Sequence, residues 1–384
     1  MGLGVDIRRL ERAALALLHV PPELDDHDRL EPQGRTMETT AAQATDLAHM
    51  RRALELAARG PAADANPRVG CVVTDVDGEV VGEGWHRGAG TAHAEVDALG
   101  HAGERARGGT AYVTLEPCNH TGRTQPCSTA LYAAGLARVV HAQSDPNPRA
   151  AGGADVLRGR GVTVEGGVLA EQAHALNRSW THLVTTGRPW VTWKLAATLD
   201  GRSAAADGTS QWITGEAARA DVHRLRAECG AILVGTGTAL VDDPQLTARR
   251  PDGSLYPRQP MRVVMGEREL PAGARVLDDA APTWLLRTRD PKAVLGALAD
   301  AEVHRLWLEG GPTVAAAFLS AGLVDEVVAY VAPVLLGRGR QAVTDLGITT
   351  IDAALRLRPT DITLIGDDVR ITADLHDASA KEEH

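Results

Sequence analysis

His93-Ala94-Glu95 and, further along, Pro117-Cys118 and Cys127 carry the groups of a zinc-dependent hydrolytic centre. One imidazole nitrogen and two thiolates can hold zinc and leave its fourth position open to water, which is the arrangement of a catalytic rather than a structural zinc. Glu95 follows the histidine by two residues. A carboxylate there can carry protons between that water and a departing amine. Zinc nucleobase deaminases combine an H-x-E with a P-C-x-x-C. The first half is met, but eight residues rather than two separate Cys118 from Cys127. His93, Cys118 and Cys127 are read as the metal ligands and Glu95 as the catalytic acid/base. The alternative is a closed structural site completed by His120, which leaves the carboxylate of Glu95 without a use.

These residues need a frame. A helix is predicted over His49–Arg59, then strands at Val69–Thr74 and Glu79–Glu83 joined by an Asp77-Gly78 turn. A helix from His93 to about Ala102 follows, then a strand at Thr110–Leu115, a helix over Ser128–Ala134 and a strand at Val139–Ala142. Both ligand clusters come directly after strands, where α/β proteins bind ligands. A second series of strands is predicted at Trp190–Leu195, Ala231–Gly235, Met261–Met265, Thr283–Arg287, Arg305–Glu309 and Val327–Val331. Helices over Gly215–Glu228, Pro291–Ala299 and Thr313–Ala321 alternate with them, so the chain reads as two α/β units joined near Thr186-Gly187-Arg188-Pro189.

A length of 384 residues suits two domains, and 44% apolar residues can give each a core built mostly from Ala, Val and Leu. A net charge of −10 argues against nucleic-acid binding, which needs basic surface. It leaves room for a phosphorylated small molecule, which a few arginines can hold. No apolar stretch is long enough to span a membrane and no secretory leader is visible, so the expected setting is the reducing cytoplasm. Of the four cysteines, Cys71 and Cys229 sit in apolar runs and read as core. A short amphipathic helix is expected over residues 5–19 and a linker over 20–45. Met37 is the expected native start, which N-terminal mass determination on protein from its source tests.

The spacer PCNHTGRTQPC, from Pro117 to Cys127, closely resembles the deaminase half of the bifunctional riboflavin-biosynthesis deaminase/reductase family. The resemblance takes in Tyr112–Glu116 and Asp145-Pro146-Asn147-Pro148, then WKLAATLDGR, SQWIT, DDPQLT and EGGPT, and so covers roughly residues 46 to 375. It implies a cytidine-deaminase-like zinc domain over 46–187 and a dihydrofolate-reductase-like domain over 188–376, between an extension at 1–45 and a polar tail at 377–384. It implies hydrolytic deamination of a phosphoribosylated diaminopyrimidinone, then NADPH-dependent reduction of its ribosyl group, in a homo-oligomer.

Site residues follow from the same resemblance. Asn66, His86 and Arg123 are expected on the deaminase substrate, with an exposed loop histidine the alternative for His86 and a merely solvated arginine that for Arg123. In the second domain Ala196, Trp212, Thr238 and Asp242 face the cofactor, as do Gly311, Pro312, Thr313, Val314, Ala315, Ala316 and Ala317 at a strand–helix turn. Glycines and helix N–H groups at such a turn can approach a pyrophosphate. Asp242 is also the expected active-site carboxylate, against a simple Asx turn with Asp243 and Pro244. Ser210, Arg226, Leu246, Arg249 and Glu309 are expected on substrate, the arginines as a phosphate clamp. A core role is the alternative for Trp212 and a solvent-facing one for Arg226, while Lys194 and Asp200 stay without assigned roles. The chain has Gly266-Glu267 where the family usually places an acidic residue followed by Ser or Thr. A glutamate close to the 2′-phosphate of NADPH would repel it. Two other readings remain: a related deaminase for another phosphorylated pyrimidine, and a non-catalytic zinc-stabilised binding protein, against which Glu95 speaks.

Overall fold

The structure, a computed structural model, describes residues 41–120 and 125–375. The helix read over 5–19, Met37 and Arg123 lie outside the described residues. The elements in order are α1 (Ala41–Ala57), β1 (Gly70–Thr74), β2 (Val80–Trp85), α2 (Ala94–Ala102), β3 (Thr110–Leu115), α3 (Cys127–Ala133), β4 (Arg138–Gln143), α4 (Gly153–Gly159) and β5 (Thr163–Gly166). Then come α5 (Ala170–Leu176), α6 (Arg178–Thr186), β6 (Trp190–Thr198), β7 (Arg202–Ala205), α7 (Glu216–Ala227), β8 (Ala231–Gly235), α8 (Thr236–Asp242), β9 (Met261–Met265) and β10 (Thr283–Leu286). The chain continues through α9 (Pro291–Asp300), β11 (Arg305–Leu308), α10 (Pro312–Ser320), β12 (Glu326–Ala332), β13 (Gly339–Gln341), β14 (Leu357–Ile365) and β15 (Asp368–Leu375).

The first sheet has five strands in the order β2-β1-β3-β4-β5, antiparallel through β1 and parallel from β3 to β5. Successive strand side chains point to opposite faces, and β1 shows the consequence. Cys71 and Val73 join Ala94, Ala98 and Leu131 on one side of the sheet, while Val72 joins Met50, Leu56 and Tyr112 on the other. A sheet buried on both faces needs no polar alternation, which is why GCVVT is buried throughout.

The second sheet has eight strands in the order β10-β9-β8-β11-β6-β12-β15-β14. Its six strands from β10 to β12 run parallel, and the β14–β15 hairpin adds antiparallel at one edge. Leu233, Val263 and Leu308 pack with Phe318 and Leu295 on one face, and Ile232, Val264 and Trp307 with Val222 on the other. β7 and β13 form a separate two-stranded ribbon.

The linker expected up to residue 45 ends sooner: α1 is already helical at Ala41. AAQAT is polar enough to read as linker, yet alanine and glutamine are good helix formers that extend an anchored helix outward. The hairpin β14–β15 was not expected from the sequence. Its outer strand holds Pro359 and is largely exposed, so it lacks the apolar alternation that marks a strand. Cys71 and Cys229 are buried core residues as read, at 0% and 1% exposure.

Candidate active site

His93 is the N-cap of α2 and Glu95 lies in its first turn, so one helix start presents both. Cys127 begins α3, and Cys118 lies in the segment after β3. Two local devices hold that segment. Glu116 accepts hydrogen bonds from the backbone N–H groups of Gly152 (3.0 Å), Ala154 (3.1 Å) and Asp145 (3.2 Å). Gly153 also meets Pro117 so closely that a Cβ would stand 1.8 Å from its carbonyl oxygen, so only glycine fits.

The donor atoms of His93, Cys118 and Cys127 all lie within 4.8 Å of one another. Nδ1 of His93 is 3.2 Å from the Cys127 sulfur and 3.6 Å from that of Cys118. Contact with Cys127 and His93 pulls the Cys118 thiol well below the usual range, against burial, which favours the thiolate a metal needs. One imidazole and two sulfurs at this spacing fit tetrahedral zinc with an open position. His120 is exposed and no member of the cluster, so the closed four-ligand alternative is not what these side chains build.

Glu95 is 4% exposed. Burial, aided by the negative Cys118, pushes its carboxyl up to about 7. It borders a cavity of about 300 Å³ whose walls include Asn66, His86, Asp145, Asn147 and Trp180. Asn66 Nδ2 is 3.1 Å from His86 Nε2, and the other ring nitrogen of His86 is 3.1 Å from the Ala92 carbonyl. His86 is only 5% exposed, which excludes the loop-histidine alternative. Burial lifts Asp145 up to about 6. The sequence pointed to Asp145 only through its Asp-Pro-Asn-Pro setting and gave no sign that its carboxyl reaches the cavity.

The second constellation joins Glu309, directly after β11, to Arg226 near the end of α7 and Lys194 on β6. Glu309 makes a two-pronged ion pair with Arg226, Nε–Oε1 2.6 Å and Nη2–Oε2 2.7 Å, and accepts from Trp307 Nε1 at 2.5 Å. Burial raises the Glu309 carboxyl, but Arg226, with help from Lys194 and Trp307, more than offsets it and holds it near about 2. Arg226 also donates to the Thr247 carbonyl (3.0 Å), and its side chain is 12% exposed, so the solvent-facing alternative fails. Burial, then Arg226 and Arg275, lowers Arg249, and burial lowers Lys194, which senses both Glu309 and Arg226. Arg226 and Lys194 thus share one carboxylate, a surplus of positive charge suited to a phosphate.

The turn before α10 is packed against the start of α8. A Cβ on Gly310 would come within 2.7 Å of Val314, one on Gly235 equally close to it, and one on Gly311 would stand 3.5 Å from the Thr238 hydroxyl. Two segments expected on the cofactor, one holding Thr238 and one running from Gly311 through Ala317, are therefore adjacent. Their glycines and the α10 N-terminus fit a dinucleotide phosphate. Ala196 lies on β6, and Ser210 and Trp212 on the loop before α7. Trp212 is 68% exposed with the Arg219 guanidinium 4.5 Å from its ring centre, so it is not a core residue. Asp242 is the exposed last residue of α8, and the neighbouring Asp243 accepts from the Arg275 N–H (2.8 Å). Leu246 is buried with φ 54. Glu267 pairs with Arg289 at 2.8 Å, which offsets the charge that sets it apart from the family pattern.

Residues 43–143 match the cytidine and deoxycytidylate deaminase zinc-binding region, and residues 189–371 the RibD C-terminal domain. The chain is 53% identical over 307 residues to riboflavin biosynthesis protein RibD of Mycobacterium tuberculosis, covering 80% of this chain and 90% of that one. It is 43% identical over 359 residues to RibD of Escherichia coli, covering 84% and 98%. The RibD structure from Acinetobacter baumannii has a TM-score of 0.80 at 39% identity, over 87% of this chain and 99% of that one.

Proposed function

Since the chain belongs to the RibD family of bifunctional riboflavin-biosynthesis enzymes, we propose how its residues divide between two reactions. The protein deaminates 2,5-diamino-6-(5-phosphoribosylamino)pyrimidin-4(3H)-one hydrolytically, then reduces the ribosyl side chain to ribityl with NADPH. The observation that carries the residue assignment is the buried Glu95 carboxyl, which borders the cavity together with the His93 and Cys118 donors.

Zinc bound by His93, Cys118 and Cys127 supplies an activated water, its pKa lowered to about 7. Glu95 takes a proton on its carboxylate and returns it to the departing amine. Asn66, fixed by His86, reads the pyrimidinone edge with its paired donor and acceptor. Arg123 serves the phosphate.

In the second site the nicotinamide supplies hydride. Gly311 through Ala317, with Ala196, Thr238 and Trp212, hold the cofactor, the α10 N–H groups meeting phosphate. Ser210, Arg226 and Arg249 clamp the substrate phosphate, Leu246 packs beside them, and Glu309 sets the direction of Arg226. Asp242, at the end of α8, is the carboxylate near the sugar. The first site is assigned to residues 46–187 and the second to 188–376, with 1–45 an extension and 377–384 a tail.

No helix among the described residues is long and apolar enough to cross a membrane. The four free cysteines support a cytoplasmic setting, and the acidic charge supports a small-molecule partner over nucleic acid. Ile362 and Leu364 stand 65% and 73% exposed on the outer strand β14, which supports a homo-oligomer. The test is mass spectrometry of the diaminopyrimidinone ribosyl phosphate after incubation with zinc-loaded protein. Exchange of amine for oxygen without NADPH, then gain of two hydrogens with it, is expected. No change in either arm overturns the reading.

A further inference from the structure

The cavity beside Glu95 draws part of its wall from the second half of the chain. Glu302 and His304, on the turn from α9 into β11, line it together with Asn66 and Glu95. The backbone of that turn has a specific form. Val303 N–H donates to the Leu298 carbonyl (3.0 Å) and Glu302 N–H to that of Ala299 (2.9 Å), the paired bonds of a Schellman helix end. Such an end needs a left-handed residue and favours glycine. α4 and α10 close with the same paired bonds and have Gly161 and Gly322 there, at φ 89 and φ 66. α9 instead has Glu302, at φ 55. A side chain kept in a strained conformation at a cavity wall points to a use for that side chain.

Two contacts tie the second half of the chain to the loop that carries Asn66, one from this turn and one from the loop before β9. His304, 7% exposed, meets the backbone of Ala65. Arg258 Nη1 donates to Asp64 Oδ2 at 3.0 Å. The other Asp64 oxygen accepts from Asn66 N–H (3.1 Å) and Ala89 N–H (3.0 Å). The second half of the chain therefore grips both residues that precede Asn66.

We propose that Glu302 binds the deaminase substrate, accepting a hydrogen bond from an exocyclic N–H of the aminopyrimidine, and that His304 and Arg258 are positioning residues. This rests on reading the cavity as the site of deamination. An ionised carboxylate is an acceptor only, and the ring to be deaminated offers amino donors. A charge-assisted bond of this kind changes affinity by about tenfold.

The test is steady-state kinetics of both reactions in full-length, zinc-loaded protein. Glu302→Gly relieves the backbone, so it is expected to raise Tm while raising the deaminase KM about tenfold. Glu302→Gln keeps a neutral acceptor and is expected to give a smaller rise. Zinc content and the reductase KM, measured on already deaminated substrate, stay unchanged in both. Arg258→Ala, at an arginine 54% exposed, is expected to raise the deaminase KM a few-fold with reductase kinetics intact. An unchanged deaminase KM in Glu302→Gly, with Tm raised, reduces the residue to a helix end and overturns the proposal. Wild-type protein that does not deaminate at all overturns both the reading of the cavity and the proposal.

Discussion

The two sites differ in how complete they are before anything binds. The deaminase centre is assembled: three donors within 4.8 Å, a buried carboxyl beside them and a walled cavity of about 300 Å³. The site proposed for reduction is built from turns and edges, with Glu309 already satisfied by Arg226, and Trp212 and Asp242 exposed. Size explains the contrast. A metal with one small ring needs donors fixed to fractions of an ångström, which buried helix starts supply. An extended dinucleotide spreads its binding over backbone N–H groups and surface side chains, and completes the site as it arrives.

The largest expected effect that sharpens this contrast is Glu95→Gln. Deamination falls by about 10³-fold while bound zinc and reduction are retained, checked by metal analysis and separate assays. Zinc lost together with activity would instead make Glu95 a support of the ligand set. Next is Arg226→Ala, which strips the buried Glu309 carboxylate of its two-pronged partner and leaves it only Trp307 and Lys194. The expected loss is roughly 3 kcal/mol of stability, read by urea unfolding, with reduction lowered and the deaminase kinetics per folded molecule unaltered. A fully stable variant would show the reductase site to be as open at Glu309 as it is at Trp212.

A pH effect of similar or smaller size comes from the wall the two halves share. Burial lowers His304 from 6.5 to about 4, so between those values the unfolded chain binds a proton that the folded chain does not. The stability this gives is complete above about 6.5 and is lost as pH falls toward 4, by at most roughly 3 kcal/mol. His304→Gln should therefore make unfolding midpoints less steeply dependent on pH in that window. The smallest effect is expected at Glu267→Ala. Glu267 and Arg289 are 62% and 77% exposed, so the NADPH KM should move less than about threefold. A large drop in that KM would place the glutamate against the cofactor after all.

Much of the deaminase centre was legible because its residue types are scarce and chemically specific. His93, Glu95, Cys118 and Cys127 announce a metal with a proton carrier, and the strands before them announce where they stand. The parallel strands of the second sheet were legible as apolar runs, and only their ends moved, by three residues at β6 and by at most one elsewhere. The β14–β15 hairpin was not, because an exposed edge strand does not carry a core pattern. Nor was the Glu309–Arg226 pair. Each residue was read singly as a substrate contact, and nothing in a sequence states that side chains 83 positions apart satisfy each other.

By itself the sequence determined the donor chemistry, the two α/β units and the glycine turns, because these follow from residue type and local periodicity. Only the tertiary structure decided which distant groups share a site. Arg258 reaches Asp64 across 194 positions, and Glu302 and His304 stand in the wall beside Asn66. Local patterns report which face of an element is buried, whereas such contacts depend on how the two sheets and their helices pack together.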